Sequence, residues 1–314
     1  MINLFLNNYH LSKEMELMRE VTICIATHNR VADLRRLLLS TQILKPSVPV
    51  LVYDDYSSDG TTDVVRSEFP DVRLITGEKN IGTIAARNIC IREANSRFVM
   101  ILDDDAYFVS SSTVKKTIDD FSDPRIAAVA VPFKEKGRLI QGSTVLTETE
   151  LVRSFVGAVQ MLRRDVILEC GGFREGYDFY CEEPDLGIRL LNKGFVVRHG
   201  TADPAVHEPN INRNPILRRQ ILWLSENRFK WYYTPTKYLF PSLFAHWIFL
   251  FQSRTRFGGF HEIWKMAQIG RRDLVNYYDS RCPVKLSTYR IWRRLAKAPR
   301  LTLSEAKLKF GLVD

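Results

Sequence analysis

The chain has 314 residues, of which 45% are hydrophobic, and its mean hydropathy is −0.16. This composition is typical of a folded globular protein and excludes a disordered chain. The five cysteines are scattered and form no CxxC pair, so we expect free thiols in a cytoplasmic protein. The N-terminal segment lacks the pattern of a signal peptide. The longest apolar stretch, near residues 238–251, is too short and interrupted to span a bilayer.

The formal net charge of +9 is unevenly distributed along the chain. Residues 213–314 contain 20 lysines and arginines against 6 acidic residues, whereas the rest of the chain contains 25 basic and 30 acidic residues. We therefore expect the acidic and the basic parts to meet different partners.

The basic part is also rich in aromatic residues, and this combination is typical of a segment that lies on an anionic membrane surface. The protein would then be peripheral on the cytoplasmic face of the membrane. Packing onto the rest of the chain, or onto a second copy in a homodimer, is the alternative. The residues expected at the membrane are Trp247, Phe249, Phe251 and Trp264, with Arg254, Arg256, Arg271 and Arg272 facing the headgroups.

Apolar strands alternate with helical patterns in the first 133 residues. This alternation predicts an α/β fold in which helices flank a mostly parallel sheet. In such sheets ligands bind at the carboxyl ends of the strands. The predicted strands are 21–27, 48–55, 72–76, 98–105 and 126–133, and the predicted helices lie within 33–44, 57–69, 81–94 and 113–121.

After residue 133 the alternation weakens. Residues 138–148 predict a strand or hairpin, and 164–173 predict a helix closed by glycines. A short helix is expected from Pro184 to Gly194, because proline suits the first turn and glycine the end. A strand at 194–200 and a mostly helical region from Pro215 onward complete the prediction.

Polar clusters follow three of the predicted strands. The clusters are Thr27 to Arg30, Asp54–Asp55 and Asp103 to Asp105. Three adjacent carboxylates repel one another unless a positive charge compensates them. A solvated loop is the alternative explanation, but the expected convergence of three clusters at one edge of a sheet favours a ligand site.

The motifs ICIATHNR, LVYDDYSSDGT, NIGTIAARN, ILDDDA, GGFREGYDFYCEEPDLGIRLLNKG and AVHE occur in this order. This ordered set resembles the family-2 glycosyltransferases, which have the Rossmann-like GT-A fold, and the resemblance covers roughly residues 20 to 230. It implies an inverting enzyme that moves a sugar from a nucleoside diphosphate sugar, with UDP- or dTDP-sugars preferred, to an acceptor hydroxyl. The acceptor would be a glycan or a lipid-linked molecule in cell-envelope or polysaccharide synthesis.

The resemblance also implies a division of the chain. An N-terminal arm would occupy residues 1–20 and a GT-A catalytic domain residues 21–212. Within that domain residues 21–133 would bind the nucleotide sugar and residues 134–212 the acceptor. Residues 213–314 would form a basic, aromatic-rich helical region.

Metal and donor roles follow from the resemblance. Asp105 would contact Mn²⁺ or Mg²⁺ directly, with Asp103 near the metal or the ribose, Asp104 on the ribose or in the loop, and His207 as a further ligand. Hard carboxylate oxygens suit both cations. The remaining residues expected around the nucleotide sugar are Thr27, Asn29, Arg30, Asp54, Asp55, Gly82 and Arg87, with Asp54 and Asp55 reading the nucleobase.

Acceptor-side roles are implied by the second acidic cluster. Glu183 matches the expected general base, although the family usually has aspartate there, and Asp185 is the fallback. Glu182, Gly172 and Phe173 are expected on the acceptor side. For Arg87 and Asp185 the purely structural alternatives are an internal salt bridge and a carboxylate at a helix N-terminus.

Three other functions are compatible with parts of the sequence. A nucleotidyltransferase would use a similar sheet, but the segment after the first strand lacks the glycine-rich loop expected of one. A basic nucleic-acid-binding protein would explain the charge of residues 213–314 but not the acidic strand ends, so no nucleic acid is expected as a partner. A family member that binds the donor without turnover is the third.

Overall fold

A mixed β-sheet forms the centre of the molecule. The structure is a computed structural model that describes residues 12–142, 150–177, 180–209, 214–297 and 301–310. Its strands are β1 Val21–Thr27, β2 Val50–Asp54, β3 Arg73–Thr76, β4 Phe98–Asp103, β5 Ala106–Tyr107, β6 Ile126–Ala130, β7 Phe133–Glu135, β8 Arg138–Gln141, β9 Glu150–Val152, β10 Val159–Arg163, β11 Val196–His199, β12 Ala205–His207 and β13 Leu301–Thr302.

Helices surround this sheet and make up most of the C-terminal third. A first helix, α1, covers residues 12–19. The others are α2 Val31–Thr41, α3 Thr61–Glu68, α4 Thr83–Glu93, α5 Thr113–Asp119, α6 Arg164–Glu169, α7 Glu182–Asn192, α8 Pro215–Tyr233, α9 Thr236–Gln252, α10 Phe260–Asn276, α11 Leu286–Lys297 and α12 Leu303–Phe310, with a 3₁₀ turn at Arg254–Phe257.

The main sheet has the strand order β13-β9-β11-β6-β10-β4-β1-β2-β3. The block β4-β1-β2-β3 is parallel, as the alternation predicts. Strand β10 inserts antiparallel between β4 and β6, and the sequence analysis did not foresee it. Helix α4 packs on β1 and β2. The predicted α/β arrangement is thus confirmed.

Strands β1, β2 and β4 of the parallel block are mostly apolar and buried along their length, because both faces of the sheet are covered there. Ile23, Ile25, Val99 and Met100 have no exposed surface. A strand with one solvent-exposed face would instead alternate apolar and polar residues. Polar residues therefore begin where the strands end, and this places the charged groups at one edge of the sheet.

A second sheet of four short strands, in the order β5-β12-β7-β8, stands beside that edge. Strands β7 and β8 form the hairpin predicted near residue 138, while residues 143–148 of that prediction lie outside the described residues. Strand β12 pairs with β5, which follows the three aspartates. This pairing, also unforeseen, brings the distant residue His207 beside the acidic cluster.

The C-terminal helices belong to two cores. Trp223, Leu250 and Phe257 belong to a small core of α8, α9 and the 3₁₀ turn, whereas Trp292 of α11 packs into the main core. Helix α8 begins at Pro215, with the Asn214 side chain accepting bonds from two backbone N–H groups. The mostly helical C-terminal extension is confirmed. Within the described residues, no helix is long and apolar enough to cross a membrane.

Candidate active site

The three polar clusters meet at the carboxyl edge of the parallel block. Thr27 lies in register with Asp54, and Ala26 with Asp103. The Thr27 hydroxyl donates a 2.8 Å hydrogen bond to Asp104 Oδ2, so β1 and β4 are joined by side chains as well as by backbone. The convergence expected from the sequence is present.

Arg30 compensates the repulsion among the aspartates. Its guanidinium lies 3.2 Å from Asp104 Oδ1 and 2.9 Å from Asp105 Oδ2. A third carboxylate, that of Asp33 on α2, lies 2.8 Å from the same guanidinium. Burial raises the pKa of Asp104 to about 7, against the opposing effects of Arg30 and Thr27. In this arrangement Arg30 binds carboxylates of the protein, those of Asp104 and Asp105.

Asp103, Asp105 and His207 form a cluster with the geometry of a metal site. One ligand atom from each side chain lies within 4.8 Å of the other two. His207 directs Nε2 to Asp105 Oδ1 at 3.1 Å and Nδ1 to Glu135 Oε1 at 2.8 Å. A carboxylate behind the imidazole is the arrangement that orients histidine ligands in metal sites. Glu135 carries no motif, so no sequence signal could have identified it.

The protonation of this cluster is set by its internal pairing. Burial is the largest single influence and opposes charge on both Asp105 and His207, but their hydrogen bonds and charge attractions together outweigh it. The pKa of Asp105 is lowered and the pKa of His207 is raised, with Arg30 and Glu135 contributing. Two carboxylates and one imidazole offer the oxygen and nitrogen ligands that suit a divalent cation.

The residues expected at the nucleobase are already bonded within the protein. Asp54 has no exposed surface and accepts bonds from Ser57 N at 3.0 Å and Thr62 Oγ1 at 2.6 Å. Asp55 accepts from the backbone N–H groups of Ile81 and Gly82, each at 2.8 Å. Both carboxylates therefore shape the loops at this edge, and their contact with a base stays a prediction.

Asn29 joins the loops that follow β1 and β2. It has a left-handed backbone with φ 53°, and its side-chain oxygen accepts from Ser58 N at 2.7 Å. Its own N–H donates to Ser57 Oγ at 2.9 Å. Gly82, with φ 86°, caps the start of α4 and leaves open space where a side chain would be. Both residues lie at the edge where the nucleotide is expected.

Arg87 connects the carboxyl edge of the parallel block, where the donor is expected (the donor edge), to the acidic pair of α7, where the acceptor is expected. It is 5% exposed and pairs with Asp103, while its other nitrogen lies 3.7 Å from Glu182 Oε1. It also donates to the carbonyl of Gly157 at 3.2 Å. The internal salt bridge considered from the sequence is thus present. Any ligand that engages Asp103 must share it with Arg87.

Glu183, the predicted general base, lies in the first turn of α7. Burial among protein atoms, followed by the neighbouring Glu182 carboxylate, raises its pKa to about 8. A base whose pKa is near the working pH is effective in proton transfer. Burial also raises the pKa of Glu182. Both residues of the acidic pair are therefore biased towards the proton-bound form.

Gly157 makes room for this carboxylate. A Cβ at this position would lie 2.5 Å from Glu183 Oε1 and 3.1 Å from Arg87 Nη1. The residues before α7 also have an unusual backbone, because Tyr180 and Cys181 both have positive φ angles, 67° and 72°. Non-glycine residues seldom adopt this conformation. Gly157 was not identified from the sequence, where a single glycine before a strand is an uninformative signal.

Asp185, the fallback base, is bonded on every side. Its Oδ1 accepts from Arg189 at 2.6 Å, and its Oδ2 accepts from Tyr233 OH at 2.6 Å, Tyr177 OH at 3.1 Å and Arg174 Nε at 3.2 Å. It has no exposed surface. This environment favours a structural role for Asp185, which leaves Glu183 as the better candidate for the base.

Gly172 and Phe173 are fastened to α4 by Asn88. The Asn88 side chain accepts from Phe173 N and donates to Phe173 O, both at 2.8 Å. Gly172, with φ 67°, lies so close that a Cβ there would be 2.6 Å from Asn88 Oδ1. Phe173 itself is 1% exposed and packs in the core. Asn88 is the last residue of the ARN motif, and that motif was the available signal.

The chain resembles known glycosyltransferases in sequence. Residues 22–174 match the family described as Glycosyl transferase family 2. A curated relative, the uncharacterized glycosyltransferase YwdF of Bacillus subtilis (strain 168), is 30% identical over 166 residues, covering 49% of this chain and 62% of the relative. The matched part thus spans less than two thirds of that relative.

Solved structures show the same fold at low sequence identity. The mannosyltransferase PcManGT from Pyrobaculum calidifontis, in complex with GDP-Man and Mn²⁺, gives a TM-score of 0.54 at 16% identity, covering 88% of this chain and 79% of that chain. S. aureus TarS in complex with UDP-GlcNAc gives 0.54 at 15% identity with the same coverage. Residues 22–174 therefore resemble the family-2 glycosyltransferases in sequence, and the chain has the GT-A fold that the order of its motifs predicted.

Proposed function

We propose that the protein is a metal-dependent, inverting glycosyltransferase that moves a sugar from a nucleoside diphosphate sugar to an acceptor hydroxyl. The observation that carries this proposal is the cluster of Asp103, Asp105 and His207, linked through the buried Arg87 to the acidic pair on α7. The cluster suits a metal-bound diphosphate, and the acidic pair on α7 suits removal of a proton from the acceptor.

Asp103, Asp105 and His207 would hold the divalent cation. When bound, the cation supplies positive charge that stabilises a departing diphosphate. The imidazole nitrogen favours Mn²⁺ over Mg²⁺, because Mg²⁺ prefers oxygen ligands throughout. PcManGT, solved with GDP-Man and Mn²⁺, supports the same pairing of donor and metal.

Glu183 would act on the acceptor. Its carboxylate accepts the proton of the acceptor hydroxyl while that oxygen bonds to the anomeric carbon of the donor. The bond between the anomeric carbon and the diphosphate oxygen breaks in the same step, and the nucleoside diphosphate leaves. A single displacement of this kind inverts the anomeric configuration. Arg87, held between Asp103 and Glu182, keeps the two halves of the site in a fixed relation.

Peripheral attachment to the cytoplasmic face of a membrane is part of the proposal. Phe240, Phe244, Phe260 and Trp264 on α9 and α10 are 57–77% exposed. Exposed arginines lie in the turn between these helices. Trp247 does not belong to this surface, since it packs edge-on against Trp223 at 5.0 Å. An amphipathic, basic surface suits anionic lipids and an acceptor in envelope or polysaccharide synthesis.

The test is a panel of UDP-, dTDP- and GDP-sugars with Mn²⁺ or Mg²⁺, monitored for release of nucleoside diphosphate. UDP- or dTDP-sugars are the expected donors, and chelation should stop the release. Release of pyrophosphate from nucleoside triphosphates would instead indicate the nucleotidyltransferase alternative. If no nucleotide sugar binds with either metal, the proposal fails.

A further inference from the structure

A large cavity lies outside the cluster at the strand ends. It has a volume of about 750 Å³ and is enclosed by α8, α9 and α11, with residues of the α7 N-terminus at one side. This volume is in the range of pockets that hold small organic ligands. None of the roles assigned above uses it.

The walls of the cavity are aromatic. Phe229 and Trp292 lie with ring centroids 5.7 Å apart, and Tyr238 stacks on Tyr289 at 5.8 Å. Phe249 also lines the cavity and is 50% exposed, so the wall continues into the exposed aromatic residues of α9. An apolar chain bound in the cavity could therefore leave along the exposed aromatic residues of α9.

Basic side chains surround this aromatic wall. Arg153, Lys230 and Arg293 line the cavity, against one acidic lining residue, Glu226. The Arg153 guanidinium lies 5.9 Å from the Trp292 ring, and that of Arg293 lies 6.0 Å from the Tyr289 ring. Neither arginine forms an ion pair with any residue in the described part of the chain. Guanidinium groups in such positions suit a phosphate.

The cavity also touches the helix that carries the candidate base. Cys181 and Pro184 both line it, and they flank Glu182 and Glu183 in the sequence. A ligand held in the cavity is thus held next to the acceptor side of the site. This position distinguishes the cavity from a surface groove without relation to the chemistry.

We infer that this cavity binds the phosphate-bearing, lipid-linked end of the acceptor. The guanidinium groups of Arg153 and Arg293 hold the phosphate, the aromatic wall holds the first part of the lipid, and the glycan extends towards Glu183. The inference rests on the proposed function, because it assigns the acceptor class of the same site. The donor cluster of Asp103, Asp105 and His207 takes no part in it.

The probe for this inference is decyl phosphate, used below its micelle concentration and titrated into the full chain by calorimetry. Arg293→Glu should weaken binding about tenfold or more, the scale of a lost charge-assisted contact. Arg294→Glu is the matched control, since Arg294 is the next residue on α11, is also exposed, and does not line the cavity. Its affinity should equal that of the wild type.

Two further measurements separate the cavity from general surface attraction. Ala245→Trp, which adds a ring to the cavity wall, should also weaken binding about tenfold. Inorganic phosphate and octyl glucoside should each bind at least about tenfold more weakly than decyl phosphate, since each lacks one of the two recognised features. Equal binding of inorganic phosphate would indicate a simple anion site and would overturn the inference.

Equal losses in Arg293→Glu and Arg294→Glu would also overturn it, because they would report surface charge alone. Affinity for UDP with Mn²⁺ is measured on every variant as a check of folding and of the donor site. If the wild type binds decyl phosphate as expected but not UDP with Mn²⁺, the proposed function fails, and the cavity remains a site for a lipid phosphate without the acceptor role. The opposite result removes only the cavity assignment.

Discussion

The donor edge and the cavity beside the C-terminal helices differ in how their charged side chains are paired. At the donor edge each aspartate of the triple cluster has a cationic partner from the same chain: Arg87 for Asp103, and Arg30 for Asp104 and Asp105. At the cavity beside the C-terminal helices, the Arg153 and Arg293 guanidinium groups lie near aromatic rings and form no ion pair with the described residues. The first region must exchange partners when a ligand binds, whereas the second gains partners without losing any.

This difference has an energetic consequence. A divalent cation at the donor edge must share the carboxylates of Asp103 and Asp105 with arginines, so its affinity reflects the difference between two strong interactions. An anion at the cavity meets guanidinium groups that form no ion pair with the described residues. Removal of one charge should therefore have severe effects in the first region and moderate effects in the second.

The largest expected effect is that of Asp105→Ala. The variant loses a candidate metal ligand and removes one carboxylate partner from each of His207 and Arg30. Mn²⁺-dependent UDP binding should become undetectable by calorimetry, and turnover should fall by about 10³-fold. Asp33→Ala is the control, because Asp33 holds the same Arg30 from outside the cluster. Wild-type affinity in Asp105→Ala would refute the metal role.

The next effect is that of Glu183→Gln. Donor affinity should persist while sugar transfer falls by about 10²-fold or more, the usual loss of a general base. Because burial raises the pKa of Glu183 to about 8 and the base must be ionised, wild-type kcat/KM should rise with pH up to about 8. The Gln variant should lack this rising limb.

The comparison variant for this experiment is Asp185→Asn. Asp185 pairs with Arg174 and Arg189 in a buried position, so loss of its charge should destabilise the fold by about 3 kcal/mol, visible as a lower melting temperature. A Glu183→Gln enzyme with normal transfer, beside a folded but inactive Asp185→Asn enzyme, would reassign the base.

A smaller effect is expected of Gly157→Ala. The new methyl group would press on the ends of two flexible side chains, Glu183 and Arg87, and not on backbone. The fold should therefore tolerate the change, while transfer falls by about tenfold because the base is displaced from its productive geometry. Unchanged UDP affinity with reduced kcat is the expected result, and unchanged kcat would show that the close approach is unimportant.

The smallest effect concerns the membrane. Trp264→Ser removes one of the most exposed rings of the surface formed by α9 and α10, and it should reduce co-sedimentation with anionic liposomes only a few-fold, since several aromatic residues share the contact. Wild-type binding should grow with anionic lipid content and weaken with salt. A protein that stays in the supernatant under all conditions, yet sediments as a dimer in the ultracentrifuge, would assign this surface to a second copy.

Local patterns account for what the sequence could predict. The strand ends of β1, β2 and β4 carry polar residues after apolar runs, and the parallel order of these strands follows from the intervening helices. The acidic cluster and its need for a positive charge therefore followed from neighbouring residues, whereas its metal and donor roles came from the family resemblance. His207 became identifiable only through the resemblance to a family, because its place beside Asp105 depends on the pairing of β12 with β5 across about 100 residues.

Features that depend on long-range packing were not predictable. Strand β10 pairs antiparallel with β4 and β6, and nothing in residues 159–163 specifies this neighbour. The same holds for Glu135 behind His207 and for the cavity, whose walls come from three helices. Trp247 is the clearest example of a residue that composition could not place. Composition predicted it at a membrane surface, whereas in the structure it is partly buried and packs against Trp223.

Arg87 and Asn88 are consecutive residues of one helix, and both connect it to the part of the chain after residue 133: Arg87 binds Asp103 and Glu182, while Asn88 binds the loop at Gly172 and Phe173. This arrangement sets a rule for building chimaeras with related enzymes. A graft that replaces the acceptor half must keep a glutamate for Arg87 and a glycine at the Asn88 contact. A breakpoint chosen only because it lies in a loop, without regard to this dipeptide, would join two halves that lack the contacts of Arg87 and Asn88.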